Sequence, residues 1–366
     1  MLSSWDDYPV HQTADVVGHV GTSDRNFYDR YYFNLHASSD ELFVVMGMGQ
    51  YPNLGVQDAF AVARRGSRHL VVRASRALGD RRDTSVGPFR IEVLEPLRRL
   101  RFALDETEHA IAFDLVWQGS IPAWQEPRHF VRRHGRVLFD TSRFAQTGCW
   151  SGSLRIGGET FSVTPDRWWG TRDRSWGVRP VGEPEHPGIR QGEMSLSGMW
   201  NYSPMHFSDH AILYILQETN AGERELEEAV RVWSDPLLPA EHLGRPEYEH
   251  RLTRGTRLIE RSTLRFPGAP GGGFEVRVTP LVHCFIGVGT GYGLDPDWRH
   301  GSWQGPLVVQ GLERDHDEAG KLGQYAVVDH VARFEYEGRV GYGLHEHGFF
   351  GPFAKYGMKD AASGAA

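Results

Sequence analysis

Cysteine and lysine are nearly missing from this 366-residue chain. With only Cys149 and Cys284 present, no disulfide framework staples it, and a chain of this size without one fits a reducing compartment. Lysine stands only at 321, 355 and 359, so the cationic charge falls to arginine, which is interleaved with carboxylates to a net charge of -7. That balance offers no basic field to a phosphate backbone, and nucleic acid is not an expected partner. No apolar run approaches the roughly 18 residues that cross a bilayer. Residues 1–17 lack both the cationic start and the apolar core of a secretion signal, so a cytoplasmic protein without transmembrane segments is expected.

Long helical patterns are scarce as well. The 43 glycines and 20 prolines imply many turns, and the length exceeds one ordinary hydrophobic core, so two domains are expected. Alternation of apolar and polar residues recurs throughout, the mark of strands with one buried face. Phe89, Ile91 and Val93 alternate with Arg90 and Glu92; Leu100, Phe102 and Leu104 follow the same period, then Ile111, Phe113, Leu115 and Trp117. The connections are too short for helical crossovers, which favours antiparallel meanders over an open parallel α/β sheet. Residues 59–75 read as a hairpin turning at Arg65-Gly66-Ser67. In the second half, 211–217, 257–265, 274–282, 307–312, 325–331 and 340–345 read as strands, while 224–232 and 239–243 are the best helix candidates. Segments beginning at Phe33 and Tyr202 share aromatics, a Ser-Asp turn and an apolar strand, the trace of an internal duplication. Meanders lose their edges most completely by closing, and about eight strands enclose room for a small ligand. The expected fold is all-β: two tandem antiparallel barrels at 1–165 and 191–358, a Trp/Arg-rich segment between them at 166–190, and a disordered tail at 359–366.

The segment DRWWGTRDRSWGVRPVG, residues 166–182, is unlike an average surface loop. Extended, it puts Trp169, Thr171, Asp173 and Ser175 on one face and Trp168, Arg172, Arg174 and Trp176 on the other. One reading is a polar patch against an apolar cavity, with Asp173 as general acid or base and indoles stabilising a developing cation. The other is an Arg-Trp ladder clamping the barrels together. Neighbouring arginines hold Asp173 ionised unless burial outweighs them.

On this stretch the chain resembles the lipocalin-like family that includes hydroxyneurosporene synthases (acyclic carotenoid hydratases) and AttH-type proteins, in which two calycin-like barrels meet around an Asp-His-(Ser/Glu)-Trp-Gly motif. The matching residues are Arg172, Asp173, Ser175, Trp176 and Gly177, followed by Arg179; Arg174 replaces the motif's histidine. The likeness extends to YPNLGVQDAF from Tyr51, VGPFRIEVLEP from Val86, FDLVWQGSIPAWQEP from Phe113 and GLHEHGFFGPF from Gly343. It implies two lipocalin-like barrels on a scaffold used for hydration, cyclisation and ligand handling.

Other constellations weigh less. His206 and His210, and His345 and His347 around Glu346, have spacings that bind metals, but no third ligand is fixed and no metal is expected. GVGTGYG at 287–293 lacks the βαβ context of a nucleotide loop and reads as a bulge or turn. Cys149 reads as a buried structural thiol, and no Gly-x-Ser-x-Gly elbow exists. The leading expectation is a cofactor-independent enzyme, a hydratase (lyase) or cyclase, that protonates an alkene in an apolar isoprenoid-like molecule. Asp173 is its proton donor, with His210 and His345 as further catalytic candidates. Trp168, Trp169, Arg172, Trp176, Arg179, Trp200, Tyr202 and Glu346 are the substrate-contacting candidates. The alternatives are a carrier of a hydrophobic small molecule and an accessory domain whose partner supplies the chemistry; homodimerisation stays open.

Overall fold

The computed structural model describes residues 2–133, 135–184 and 197–366. The first half runs β1 (Phe27–His36), β2 (Leu42–Tyr51), β3 (Val56–Arg65), β4 (Arg68–Ala77), β5 (Ser85–Val86), β6 (Phe89–Glu95), β7 (Arg99–Leu104), β8 (Ile111–Gly119), β9 (Trp124–Gln125), β10 (His129–Arg133), β11 (Arg136–Ile156), β12 (Glu159–Val163) and β13 (Trp169–Val178). The second runs β14 (Gly198–His206), β15 (His210–Glu218), β16 (Arg224–Trp233), β17 (Glu241–His242), β18 (Glu247–Leu252), β19 (Ile259–Phe266), β20 (Phe274–Cys284), β21 (Leu307–Asp315), β22 (Val328–Tyr336) and β23 (Arg339–Phe350), with a short helix α1 (His316–Gly323) after β21.

The two sheets share one order. In the first, β4-β3-β2-β1 continues through β13 to β11, β8, β7, β6 and β5; in the second, β17-β16-β15-β14 continues through β23 to β22, β20, β19 and β18. The opening strand of each half therefore pairs with the closing strand of the same half, and the segments matched by duplication are the first hairpins, β1-β2 and β14-β15. Each half is a lipocalin-like antiparallel barrel: β5 returns against β3 and β4 to nearly close the first, and the second forms a half-barrel.

Alternation explains how the barrels meet. Along β2, Val44, Met46 and Met48 join the core inside the first barrel, whereas Phe43 and Val45 point out into a second cluster. Along β15, Ile212, Tyr214 and Leu216 fill the second barrel while Ala211, Leu213 and Ile215 enter that same outer cluster. Strands with an apolar residue on both faces are thus buried from end to end, because one face packs inside its own barrel and the other against its neighbour. The barrel interiors are filled: Trp117 and Trp150 contact edge-on with centroids 5.1 Å apart, both against Phe33.

Several expectations change. The Trp/Arg-rich segment is not a separate connector over its described part, for β13 is an integral strand of the first barrel between β1 and β11; residues 185–190 of it, and 191–196 of the second expected unit, lie outside the described residues. β21, from the second half, pairs with β4 along its whole length and so belongs to the first sheet. The stretch 224–232 is strand β16 and not a helix, and 239–243 contains β17: pairing with β15 overrides the helical preference of its Glu, Leu and Ala residues. The expected disordered tail returns to the second barrel, where Ala365 exchanges backbone bonds with Gly255 and Thr256 and the Arg257 guanidinium donates to the Ser363 and Asp360 carbonyls.

Candidate functional site

A cavity of about 560 Å³ lies between the barrels, not inside either one. Strand parity builds its wall. Tyr28, Arg30 and Tyr32 project from the outer face of β1, Thr141 and Arg143 from β11, and Asp173 and Ser175 from β13; Trp200 and Tyr202 of β14 and Glu346 of β23 face them from the second barrel. The loop between β20 and β21 covers one side with Tyr292 and His300. The Asp58 carboxylate fixes that loop: Gly301 N–H donates to its Oδ2 at 2.8 Å, and the Tyr51 hydroxyl steadies it by donating to Oδ1 at 3.1 Å. Gly291 there has φ +102°, and a Cβ would meet the His300 ring at 2.6 Å, so glycine is what lets the chain turn beside that ring. The GVGTGYG segment is thus the turn expected of it, and it delivers Tyr292 to the cavity.

Four acidic side chains converge on this wall: Glu126, Asp173, Asp329 and Glu346. Arg143 binds Glu126 at 2.5 Å and stacks on Trp200 and Tyr202 with its guanidinium 5.1 and 5.0 Å from their centroids. Asp329 and Glu346 are cross-strand partners on β22 and β23. Burial pushes both carboxyls upward; the charge and hydrogen bond of Glu346 raise Asp329 further, whereas that same hydrogen bond opposes the rise of Glu346. Tyr32 donates to Asp329 Oδ2 at 2.5 Å and the Trp200 indole N–H donates to Glu346. Asp173 differs from these three, because no side-chain hydrogen bond reaches its carboxyl among the described residues. Burial lifts its pKa to about 7; Arg143 and Arg30 oppose that rise, while Glu126 and Glu346 add to it. The adjacent arginines do not decide the matter. Alternation turns Arg172 and Arg174 to the opposite face, where Arg172 Nε donates to Gln146 Oε1 at 2.8 Å and Arg174 pairs with Asp29.

Of the candidates chosen from sequence, Asp173, Arg179, Trp200, Tyr202 and Glu346 line the cavity. The others do not. Trp168 is 2% exposed inside the first barrel against Phe161. Trp169 packs on His206 at 4.3 Å in the contact between barrels, and Arg172 is buried over Phe144, its pKa lowered to about 10 by desolvation. Trp176 is partly exposed on the outer surface. His210 lies at the end of the second barrel, its Nδ1 bonded to Asp209 Oδ1 at 2.6 Å and its Nε2 to the Tyr336 hydroxyl at 2.6 Å. His345 sits inside the second barrel between the Ser203 and Ser262 hydroxyls, at 2.7 and 3.1 Å, and burial lowers its pKa to about 3. On β23 the even residues Glu346 and Phe350 reach the cavity, while His345 and His347 face inward.

Sequence reading passed over Glu126, Arg143, Asp329 and Tyr32. A signal exists for Asp329: in VVDHVARF it shares a face with Val331, a charged residue at an apolar position of a buried strand. Glu126 sits in the AWQEP stretch but carries no local sign of its partner, Arg143.

No protein of curated function matches this sequence. Among solved structures, a protein from Nitrosomonas europaea provisionally assigned as an AttH superposes with a TM-score of 0.54 at 12% identity, over 88% of this chain and 92% of that one. CghA superposes with a TM-score of 0.47 at 9% identity, over 88% and 87% of the two chains. The first likeness supports the two-barrel, AttH-like fold that the motif around Asp173 led us to expect. A family model covers nearly the whole chain, residues 2–359, and by that match the protein belongs to the family of unknown function DUF8625.

Proposed function

We propose that the cavity between the barrels is an active site in which Asp173 protonates an alkene of an apolar, isoprenoid-like substrate. The observation that carries this reading is Asp173 itself: a carboxyl facing the cavity, without a hydrogen-bond partner among the described residues, with a pKa near 7. A general acid works best when its pKa lies near the working pH. In the proposed step the alkene π pair takes the Asp173 proton to form a C–H bond, leaving a carbocation and a carboxylate. That carboxylate and the Trp200 and Tyr202 rings stabilise the cation. For hydration, water adds to the cation and returns its surplus proton to Asp173; for cyclisation, a second alkene closes on the cation and a neighbouring C–H proton returns to Asp173. Both routes leave the enzyme unchanged and call for no organic cofactor.

The size of the cavity suits a ligand of some tens of atoms, and aromatic walls suit an apolar one. Organic extraction of freshly purified protein, followed by mass spectrometry, tests the reading. A discrete terpenoid, carotenoid or steroid that the protein converts in labelled water, with label incorporated, supports it; a bound compound that leaves chemically unchanged points instead to a carrier.

A further inference from the structure

We infer that the ligand carries, besides its apolar body, one anionic oxygen group, held at the end of the cavity formed by Arg30, Arg179 and Arg299. This deepens the proposed function and rests on it for the apolar body. The three arginines line the cavity and none forms a salt bridge among the described residues; the buried Asp58 acts on Arg30 and Arg179 from farther away, its own oxygens taken by Tyr51 and Gly301. Elsewhere on the same wall charge is matched: Arg143 has Glu126, and Arg174, on the reverse of β13, has Asp29. Arg30 is 4% exposed, yet of its donors only Nη1 is used, to His300 Nδ1 at 3.0 Å; Nε and Nη2 have no acceptor. By accepting there, His300 is fixed as a neutral ring, with burial and Arg30 holding its pKa well below the ordinary range. Arg179 stacks on Tyr28, its guanidinium 4.5 Å from the ring centroid, and its Nε is also unpartnered. The Tyr292 ring lies beneath both, 5.0 Å from the Arg30 guanidinium and 6.0 Å from that of Arg179. Aromatic stacking orients planar guanidinium groups while leaving their N–H edges free, the arrangement that recognises carboxylate-like oxygens.

Three cations facing one already hydrogen-bonded carboxylate, Asp58, are short of counter-charge, so an incoming anion gains from the whole group. It also acts on the chemistry. Negative charge at this end neutralises Arg30, one of the groups that favours ionised Asp173, and repels the carboxylate form directly; the bound ligand thereby keeps the acid protonated.

Two dyes of nearly equal shape separate the parts of this inference: 1-anilinonaphthalene-8-sulfonate, which is anionic, and N-phenyl-1-naphthylamine, its neutral parent. Fluorescence titration of the full chain is expected to show the sulfonate binding at least tenfold tighter, with a preference that falls as salt rises. Arg179→Gln and Arg299→Gln, checked for unchanged thermal melting, are expected to erase that preference while leaving the neutral dye's affinity within twofold of the parent protein's. Equal affinities for the two dyes, or a preference that survives both substitutions, would overturn the anionic group and leave the apolar cavity standing. Binding of neither dye would overturn both.

Discussion

The Tyr32 hydroxyl, on β1 of the first barrel, donates a 2.5 Å hydrogen bond to Oδ2 of Asp329, on β22 of the second. It joins residues 297 positions apart at the floor of the cavity, where both groups are buried. Asp329 is in turn the cross-strand partner of Glu346, and Glu346 accepts from Trp200. One hydrogen-bonded line therefore runs across the contact between the barrels, and the relative position of the two walls depends on it.

Removing that phenolic oxygen tests the line. Tyr32→Phe leaves a buried carboxyl short of its donor, and a cost of about 1–3 kcal/mol is expected in urea unfolding at neutral pH. In a double-mutant cycle with Asp329→Asn, the two losses are expected not to add, because each substitution breaks the same bond. Additive losses would mean that the bond contributes nothing.

Asp173 is expected to weaken the fold that holds it. Its folded pKa, about 7, stands above the ordinary value of 3.8. The folded state therefore binds the proton more tightly, and the contribution to stability is greatest below pH 4 and is lost as pH rises through 7. Asp173→Asn, which cannot ionise, is expected to melt higher than the parent protein at pH 8, with the advantage shrinking as pH is lowered toward 4. Parallel melting curves across that range would place the carboxyl in an ordinary solvated environment.

The buried histidines have the opposite sign. Burial lowers His36, His283, His316 and His345 to about 3 and His129, His206 and His347 to about 4, against an ordinary value of 6.5. Each contributes stability that is complete above pH 6.5 and is lost as pH falls toward its folded pKa. They outnumber the buried carboxyls with raised values, so the urea midpoint is expected to fall steeply between pH 6.5 and 4. His345→Gln should make that fall shallower by about one proton; an unchanged slope would mean that His345 is not buried as a neutral ring.

Much of this was legible in the sequence because strand period alone carries it. Alternation in residues 169–176 put Asp173 and Ser175 on one face and Arg172, Arg174 and Trp176 on the other, which is how β13 lies. Period gives a face but not what the face meets. Trp169 shares the face of Asp173, yet it lands against His206 because the barrels touch there and separate only farther along the strand. The location of the cavity between the barrels was hidden for the same reason: an outward apolar face reads the same whether it meets water, ligand or another barrel. His210 and His345 drew attention through spacing, but their neighbours Asp209, Tyr336, Ser203 and Ser262 come mostly from distant strands, and those bonds hold both rings away from the cavity.

The placement of those two histidines gives a further expected outcome. His210→Asn breaks its bonds to Asp209 and Tyr336, so it is expected to lower thermal stability by about 1–3 kcal/mol while affinity for a cavity ligand stays within twofold. A loss of ligand binding at unchanged stability would bring His210 into the site.

The pH dependence of turnover is the most direct measurement, made on the substrate recovered by extraction, with the parent protein compared with Asp173→Asn and Asp173→Glu. A proton donor with a pKa near 7 predicts a rate that is highest on the acid side and falls as pH rises through 7. The Asn variant should be slower by at least a hundredfold with no such inflection, and the Glu variant should recover part of the rate with a shifted one. Full turnover by Asp173→Asn, with the same pH profile as the parent, would contradict the role given to Asp173.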